Sequence, residues 1–184
     1  MADHRQIVPF FYKWEGGLSN DKNDSASSNP CPVLVNGVGG YHTNKGVTYT
    51  AWCGVFGKNQ NTRFIEMNEH DWGLIFKGSY WNKIKGEDIN HQSIANVLVS
   101  WAWGSGSDTA VKQMQRVLGV TRDGVIGKQT IGAINSSDEV ELFEKCIKAR
   151  ESFFRYICVR NPKNKKFLKG WLNRLNDFNK TYHP

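Results

Sequence analysis

Residues 6–17, Q6IVPFFYKWEGG17, decide how the rest of the chain is read. Ile7, Phe10, Phe11 and Trp14 recur at the spacing of one apolar helix face. The pattern predicts a helix over 6–15, with Pro9 tolerated near its start or at a kink and Gly16-Gly17 as its stop. Glu15 then falls at the helix C-terminal end, where the macrodipole is negative and disfavours a carboxylate. Helix propensity gives no reason for an acid at that point, which marks Glu15 as a candidate for chemistry.

Working outward, residues 18–35 are polar and rich in Ser, Asn and Pro, and read as loop. Residues 36–57 hold six glycines among aromatic and β-branched residues, which predicts short twisted strands or a hairpin. From about residue 68 the chain reads as helix. Asn68 is a cap candidate for a helix to about Lys77, and Asn90 for one over 91–103 with Ile94, Val97, Leu98 and Trp101 on one face. Ser107 opens a third, stopped by Gly119. A short helix follows Gly127, and Ser137 begins a long one to about Val159. Asn161-Pro162 supplies cap-plus-first-turn chemistry for the last, through Phe178. The expected fold is mainly α, an α+β helical bundle with a small β element. The expected division is 1–105 and 106–184, packed together.

A chain of 184 residues can bury a core without staples. The sequence contains no run of 18 apolar residues, so no transmembrane helix and no stable membrane insertion are expected. The opening residues lack the basic-then-apolar pattern of a secretory signal. Residues 1–105 carry 9 Lys/Arg and 9 Asp/Glu and residues 106–184 carry 15 and 8, so the second part holds the whole net charge of +7. That balance suits an anionic partner such as nucleic acid, a membrane surface or an anionic wall, or else a solvated helical surface. Helix-turn-helix, zinc-finger and RNA-recognition signatures are all missing, which argues against nucleic acid. Cys31, Cys53, Cys146 and Cys158 show no C-x-x-C spacing, so a structural zinc site is not expected. Cys146 and Cys158 lie about 18 Å apart along one helix and cannot pair there. A bridge between Cys31 and Cys53 stays open.

Polar function concentrates in the early loop: Glu15, Asp21, Asp24, His42, Thr43 and Asn44, with Tyr41, Tyr49 and Trp52 nearby. Acids near aromatic rings suit glycoside hydrolysis. One acid protonates the leaving oxygen, and a second polar group steadies the oxocarbenium-like transition state or holds water. Aromatic faces stack on sugar rings, which makes Tyr41, Tyr49 and Trp52 candidates for substrate contact. Asn44 is a further candidate. His42 is either a hydrogen-bonding contact to a sugar substituent or a solvated loop residue. Such chemistry requires no metal and no organic cofactor.

The ordered set E15GG, Asn20-Asp21, Asp24 and T43NKGVT48 resembles the N-terminal signature of the glycoside hydrolase family 108 lysozymes. Gly39-Gly40 takes the place of the family's Gly pair, although Tyr41-His42 adds one residue before Thr43. Tyr80-Trp81 is similar to the family's Tyr-Trp pair. A110VKQMQRVLGVTRDGVIGKQTIGAI134 and F167LKGWLNRL175 resemble its peptidoglycan-binding-like region. About a dozen additional residues, including Pro30, Cys31 and Pro32, separate Asp24 from the Gly-Gly segment on the expected cleft rim.

The resemblance implies a lysozyme-like fold and N-acetylmuramidase activity on the β-1,4 bond between N-acetylmuramic acid and N-acetylglucosamine. It makes Glu15 the general acid. The Glu–Asp–Thr order is also similar to the phage-type lysozyme triad, which assigns water positioning or charge stabilisation to Asp24 and Thr43. The implied partner is the peptidoglycan glycan strand, met by a monomer. The implied setting is a bacterial or prophage lysozyme held in the cytoplasm and released to the wall through a holin or at lysis. Lys163, Lys165, Lys166, Lys169 and Arg174 would tether it to anionic wall. The D123GVIG127 turn has a structural reading, with Asp123-Gly124 as the turn and Gly127 as helix entry, beside a wall-contact reading from the resemblance. A non-catalytic peptidoglycan-binding or secretion-associated protein of the same fold is the competing reading.

Overall fold

The computed structural model describes residues 1–184, the side chain of Ser25 excepted. The chain divides into two compact units, Val8–Ser79 and Met1–Ile7 with Tyr80–Pro184. This boundary differs from the expected 105/106 because the helix before that point packs with the helices that follow it.

In the unit Val8–Ser79, α1 covers Val8–Trp14 and buries Phe10 and Phe11. The expected helix, 6–15, was longer: Gln6 instead ends a separate 3-10 turn, His4–Gln6, and Glu15 lies just past α1. After a loop with a 3-10 turn at Ser25–Ser28, β1 (Thr43–Asn44) pairs antiparallel with β2 (Val47–Thr48) in the register Thr43↔Thr48 and Asn44↔Val47. The hairpin turn is Lys45-Gly46, with φ of 46° and 76°, the left-handed pair that a two-residue turn requires.

The expectation of strand across 36–57 holds only for its middle. Tyr49–Phe56 is a helix, α2, capped by the Thr48 hydroxyl, which accepts from the Ala51 N–H at 3.2 Å. Tyr49, Trp52 and Phe56 share its inner face, and Trp52 and Phe56 lie 4.3 Å apart between ring centroids. α3 (Asn61–Ile65) and α4 (Glu69–Phe76) follow. Asn68 caps α4 as expected, accepting from Asp71 N–H at 2.9 Å. The core of this unit is aromatic: Phe11 meets Phe76 at 5.0 Å, and Trp72 stacks on Phe76 at 4.9 Å.

The second unit is helical among its described residues. α5 (Gln92–Ser105) is buried continuously from Ser93 to Ala102. Its N-cap is His91 rather than Asn90, whose N–H instead donates to Asn135 Oδ1 at 2.9 Å. α6 (Ser107–Leu118) ends at Gly119, φ 71°, and α7 (Lys128–Ser136) begins after Gly127. α8 (Glu139–Arg160) is capped by Asp138, one residue past the expected Ser137. Asn161 caps a 3-10 turn, Pro162–Asn164, that leads into α9 (Lys165–Tyr182).

α5 packs on α6 and α8, and α9 lies along α8. Cys146 and Cys158 are both buried on one uninterrupted helix and are free thiols. Burial pushes the Cys146 thiol up to about 12. No helix is long and apolar enough to cross a membrane among the described residues.

The D123GVIG127 turn is organised from within. Gln115, almost fully buried, donates to Asp123 Oδ1 at 2.7 Å and to the Val125 carbonyl at 3.0 Å, and accepts from Gly124 N–H at 2.9 Å. The Val125 N–H, then Gln115, hold the Asp123 carboxyl below its ordinary range. One buried amide satisfies the turn's polar groups without any ligand.

Candidate active site

Glu15 closes α1. Its N–H donates to the Phe11 carbonyl at 2.8 Å, and its side chain is half-buried. Gly16-Gly17 then release the chain into the loop, which turns back onto the hairpin. Ser19 N–H donates to the Thr43 carbonyl at 2.8 Å, and His42 N–H donates to the Ser19 carbonyl at 3.0 Å. The loop after Glu15 is thereby bridged to β1 in antiparallel fashion. Glu15 and Thr43 belong to one backbone-bonded frame, although 27 positions separate them in the chain.

The hub of that frame is His42, which is fully buried. Its Nε2 lies 3.1 Å from the Asp21 carbonyl, and its Nδ1 lies 3.0 Å from Thr43 Oγ1. A carbonyl oxygen only accepts, so Nε2 carries a proton and donates to it. In the neutral ring Nδ1 is then the acceptor, and the Thr43 hydroxyl donates to it. A hydroxyl that donates in this way keeps its oxygen lone pairs as acceptors. His42 was read as a sugar contact or a solvated loop residue; it is instead fully buried, with both ring nitrogens occupied by the Asp21 carbonyl and Thr43 Oγ1.

Asp24 is exposed and caps the turn Ser25–Ser28, its Oδ1 accepting from Ala26 N–H at 2.9 Å. Asp21 Oδ1 accepts from both the N–H and the Nδ2 of Asn23, each at 2.9 Å. Sequence reasoning missed Asp21 as the residue that fixes the His42 ring, because its contribution is a main-chain carbonyl, which no residue type advertises.

Three expected glycan contacts turn out to be framework. Asn44 is buried and its Nδ2 donates to the Phe64 and Ile65 carbonyls at 2.7 and 3.0 Å, which uses both amide protons. Trp52 is fully enclosed and its indole N–H donates to the Gln60 carbonyl at 3.1 Å, so no ring face remains for a sugar. Tyr49 is buried and donates its hydroxyl proton to Asn61 Oδ1. Burial first, then its contact with Cys53, pushes the Tyr49 phenol up to about 12. Tyr41 alone of the four expected aromatic and amide contacts stays half-exposed.

The long segment between Asp24 and the Gly pair is anchored beside the same hairpin. Cys31 N–H donates to the Tyr41 carbonyl at 2.7 Å. The Cys31 side chain is buried, which raises its thiol above the ordinary value. Cys31 and Cys53 are free thiols. Beyond the anchor, Val35 and Val38 exchange both backbone hydrogen bonds, at 2.8 and 3.0 Å, around an Asn36-Gly37 turn. Leu34 and Val38 point their side chains largely into solvent there.

Glu15 thus closes a helix, Thr43 opens β1, and Asp24 caps the turn between them in sequence. The match to Glycosyl hydrolase 108 covers residues 8–106, more than half of the chain, and the chain belongs to that family. A second match, to the "Predicted Peptidoglycan domain", covers residues 109–176. Together they define a peptidoglycan hydrolase with a C-terminal peptidoglycan-binding-like region. The fold is similar to that in the "Structure of Brucella abortus SagA", with a TM-score of 0.76 and 24% identity, covering 97% of this chain and 92% of that one. No curated protein matches the chain.

Proposed function

We propose that the protein is an N-acetylmuramidase that cleaves the β-1,4 bond between N-acetylmuramic acid and N-acetylglucosamine. The observation that carries this reading is the backbone frame joining the loop after Glu15 to Thr43. It ties the loop that follows the helix-end acid to the strand whose Thr43 hydroxyl lies 3.0 Å from His42 Nδ1.

Glu15 gives its proton to the glycosidic oxygen as the bond from that oxygen to C1 breaks, and positive charge spreads over C1 and the ring oxygen. Thr43 Oγ1 accepts a hydrogen bond from the attacking water, and the Asp24 carboxylate stabilises the charge or steers the same water. Water adds to C1 and its proton leaves to a carboxylate, so the products are a reducing muramic acid end and a free glucosamine hydroxyl.

Dye release from purified sacculi, with mass spectrometry of the digest, tests the reading. Glu15→Gln keeps the shape and hydrogen-bonding capacity of the side chain and removes its transferable proton. It is expected to fold normally and to lose at least about 100-fold in rate. Substantial wall clearing by this variant, or new reducing ends on glucosamine, would overturn the assignment. Intact binding with no turnover in the unaltered protein would point to a wall-binding protein without catalysis.

A further inference from the structure

The Tyr80–Pro184 part contains a cavity of about 140 Å³, close to the size that accommodates benzene in other proteins. Its walls include Trp103, Phe154 and Trp171, and both Arg150 and Arg174 line it. Arg150 is 6% exposed. Its two terminal nitrogens donate to Ser100, one to Oγ and one to the carbonyl, both at 2.9 Å. Its Nε–H has no hydrogen-bond partner. No carboxylate forms an ion pair with Arg150 among the described residues. Burial, and then repulsion from Arg174, lower the Arg150 guanidinium to about 9, which leaves it charged at neutral pH.

A buried guanidinium with a spare donor and no counter-ion is costly. Its bonds to Ser100 and its position 5.6 Å over the Phe154 ring hold the guanidinium in place but leave the Nε–H without an acceptor and the charge without a carboxylate. A second arginine in the same cavity adds to the positive field, and three aromatic rings supply apolar walls.

We infer that this cavity is a binding site for a free carboxylate on a compact aliphatic group, carried by peptidoglycan. Two wall sources present that chemistry: the terminal carboxylate of a D-alanyl peptide stem, and the lactyl carboxylate of muramic acid on strands stripped of peptide. The carboxylate meets the Arg150 and Arg174 charges, and its aliphatic carbons lie against Trp171 and Phe154. Only the choice of wall sources rests on the proposed muramidase function; the anionic chemistry of the cavity stands on its own residues.

The test is calorimetric titration of the full chain carrying Glu15→Gln, so that no substrate is turned over. The probes are N-acetyl-D-alanyl-D-alanine and N-acetylmuramic acid, each beside its carboxamide. Indole resonances of Trp103 and Trp171 report whether binding occurs in this cavity. One of the acids is expected to bind saturably and shift both indoles, with its amide at least about tenfold weaker. The acid that binds identifies the source.

Arg174→Gln, at a half-buried position, is expected to weaken binding about tenfold. Arg150→Met, in a sample shown by circular dichroism to be folded, is expected to abolish it. Binding by neither acid, equal binding of acid and amide, or undiminished binding by Arg174→Gln overturns the inference. Because Glu15 is already substituted in every sample, each of these results is separate from the outcome of the lytic assay.

Discussion

The role given to His42 can be separated from that of Thr43 by magnitude. Thr43→Val exchanges Oγ1 for a methyl group and leaves the fully buried Nδ1 of His42 without its donor. Stability is expected to fall by about 1–3 kcal/mol, the cost of an unsatisfied buried acceptor. The rate is expected to fall by about 100-fold, the lower range for losing a group that positions a proton-transferring water. His42→Phe keeps a ring in the enclosed space but removes both nitrogens. The Thr43 hydroxyl then survives and merely loses its orientation. With three staggered positions open to it, the productive one is occupied about a third of the time, so kcat is expected to fall about threefold. The double variant is expected to match Thr43→Val in kcat, because an orienting group has nothing left to orient. The assay is dye release at saturating sacculi, well below each variant's Tm, with KM determined alongside. A loss of 100-fold or more in folded His42→Phe would give His42 a direct chemical role and refute the argument. Additive losses in the double variant would do the same.

Two further outcomes follow from the packing. Asp71 is almost fully buried and receives both Arg63 Nη2 at 2.6 Å and Nε at 3.2 Å. Arg63 holds its carboxyl below the ordinary range, against the opposing effect of burial. Its stabilising contribution is therefore complete above the unfolded carboxyl value of about 4 and is lost as pH falls through the lower folded value. Arg63→Ala is expected to lower stability at pH 7 in denaturant unfolding, by less than the loss of a fully buried pair because Arg63 is partly exposed. That difference from wild type should shrink below about pH 4; a constant gap across pH would reject the ion-pair account. Gly86 abuts the Trp81 ring, and a Cβ there would stand 2.6 and 2.7 Å from Cδ2 and Cζ2. Gly86→Ala is expected to destabilise by about 1–3 kcal/mol, and an unchanged Tm would show that the ring moves aside freely.

Local signals carried much of the architecture. The apolar face of α5, the Gly119 stop, the Asn68 cap and the entry after Gly127 are all decided within one or two turns, and the sequence reads them directly. α2 was read as strand because its β-branched and aromatic residues favour that state locally. Tertiary burial of Tyr49 and Trp52, with Phe56 packed against Trp52 on the same helical face, overrides that preference. The same three-and-four spacing was present in the sequence as a competing signal. At the site, Glu15 stood out in the sequence as a candidate because an acid there runs against the helix dipole. His42, Asn44 and Trp52 were misread because segments elsewhere in the chain return to bury them: the 17–24 loop covers His42, and the 60–65 segment covers Asn44 and Trp52. The partners that consume their polar groups are main-chain carbonyls of Asp21, Phe64, Ile65 and Gln60. No pattern of side chains encodes those contacts.

The tie from Cys31 to Tyr41 has a consequence for design. It fastens the long segment to the backbone immediately ahead of Thr43, while the small Val35–Val38 turn closes on itself beyond the fastening. Grafting another sequence into that distal turn would leave the hairpin's register untouched, since none of its ladder bonds involves the turn. Residues 33–38 are in that sense an interchangeable tip on a fixed mount, where a library of replacements can be screened against different walls while the hydrolytic frame stays constant.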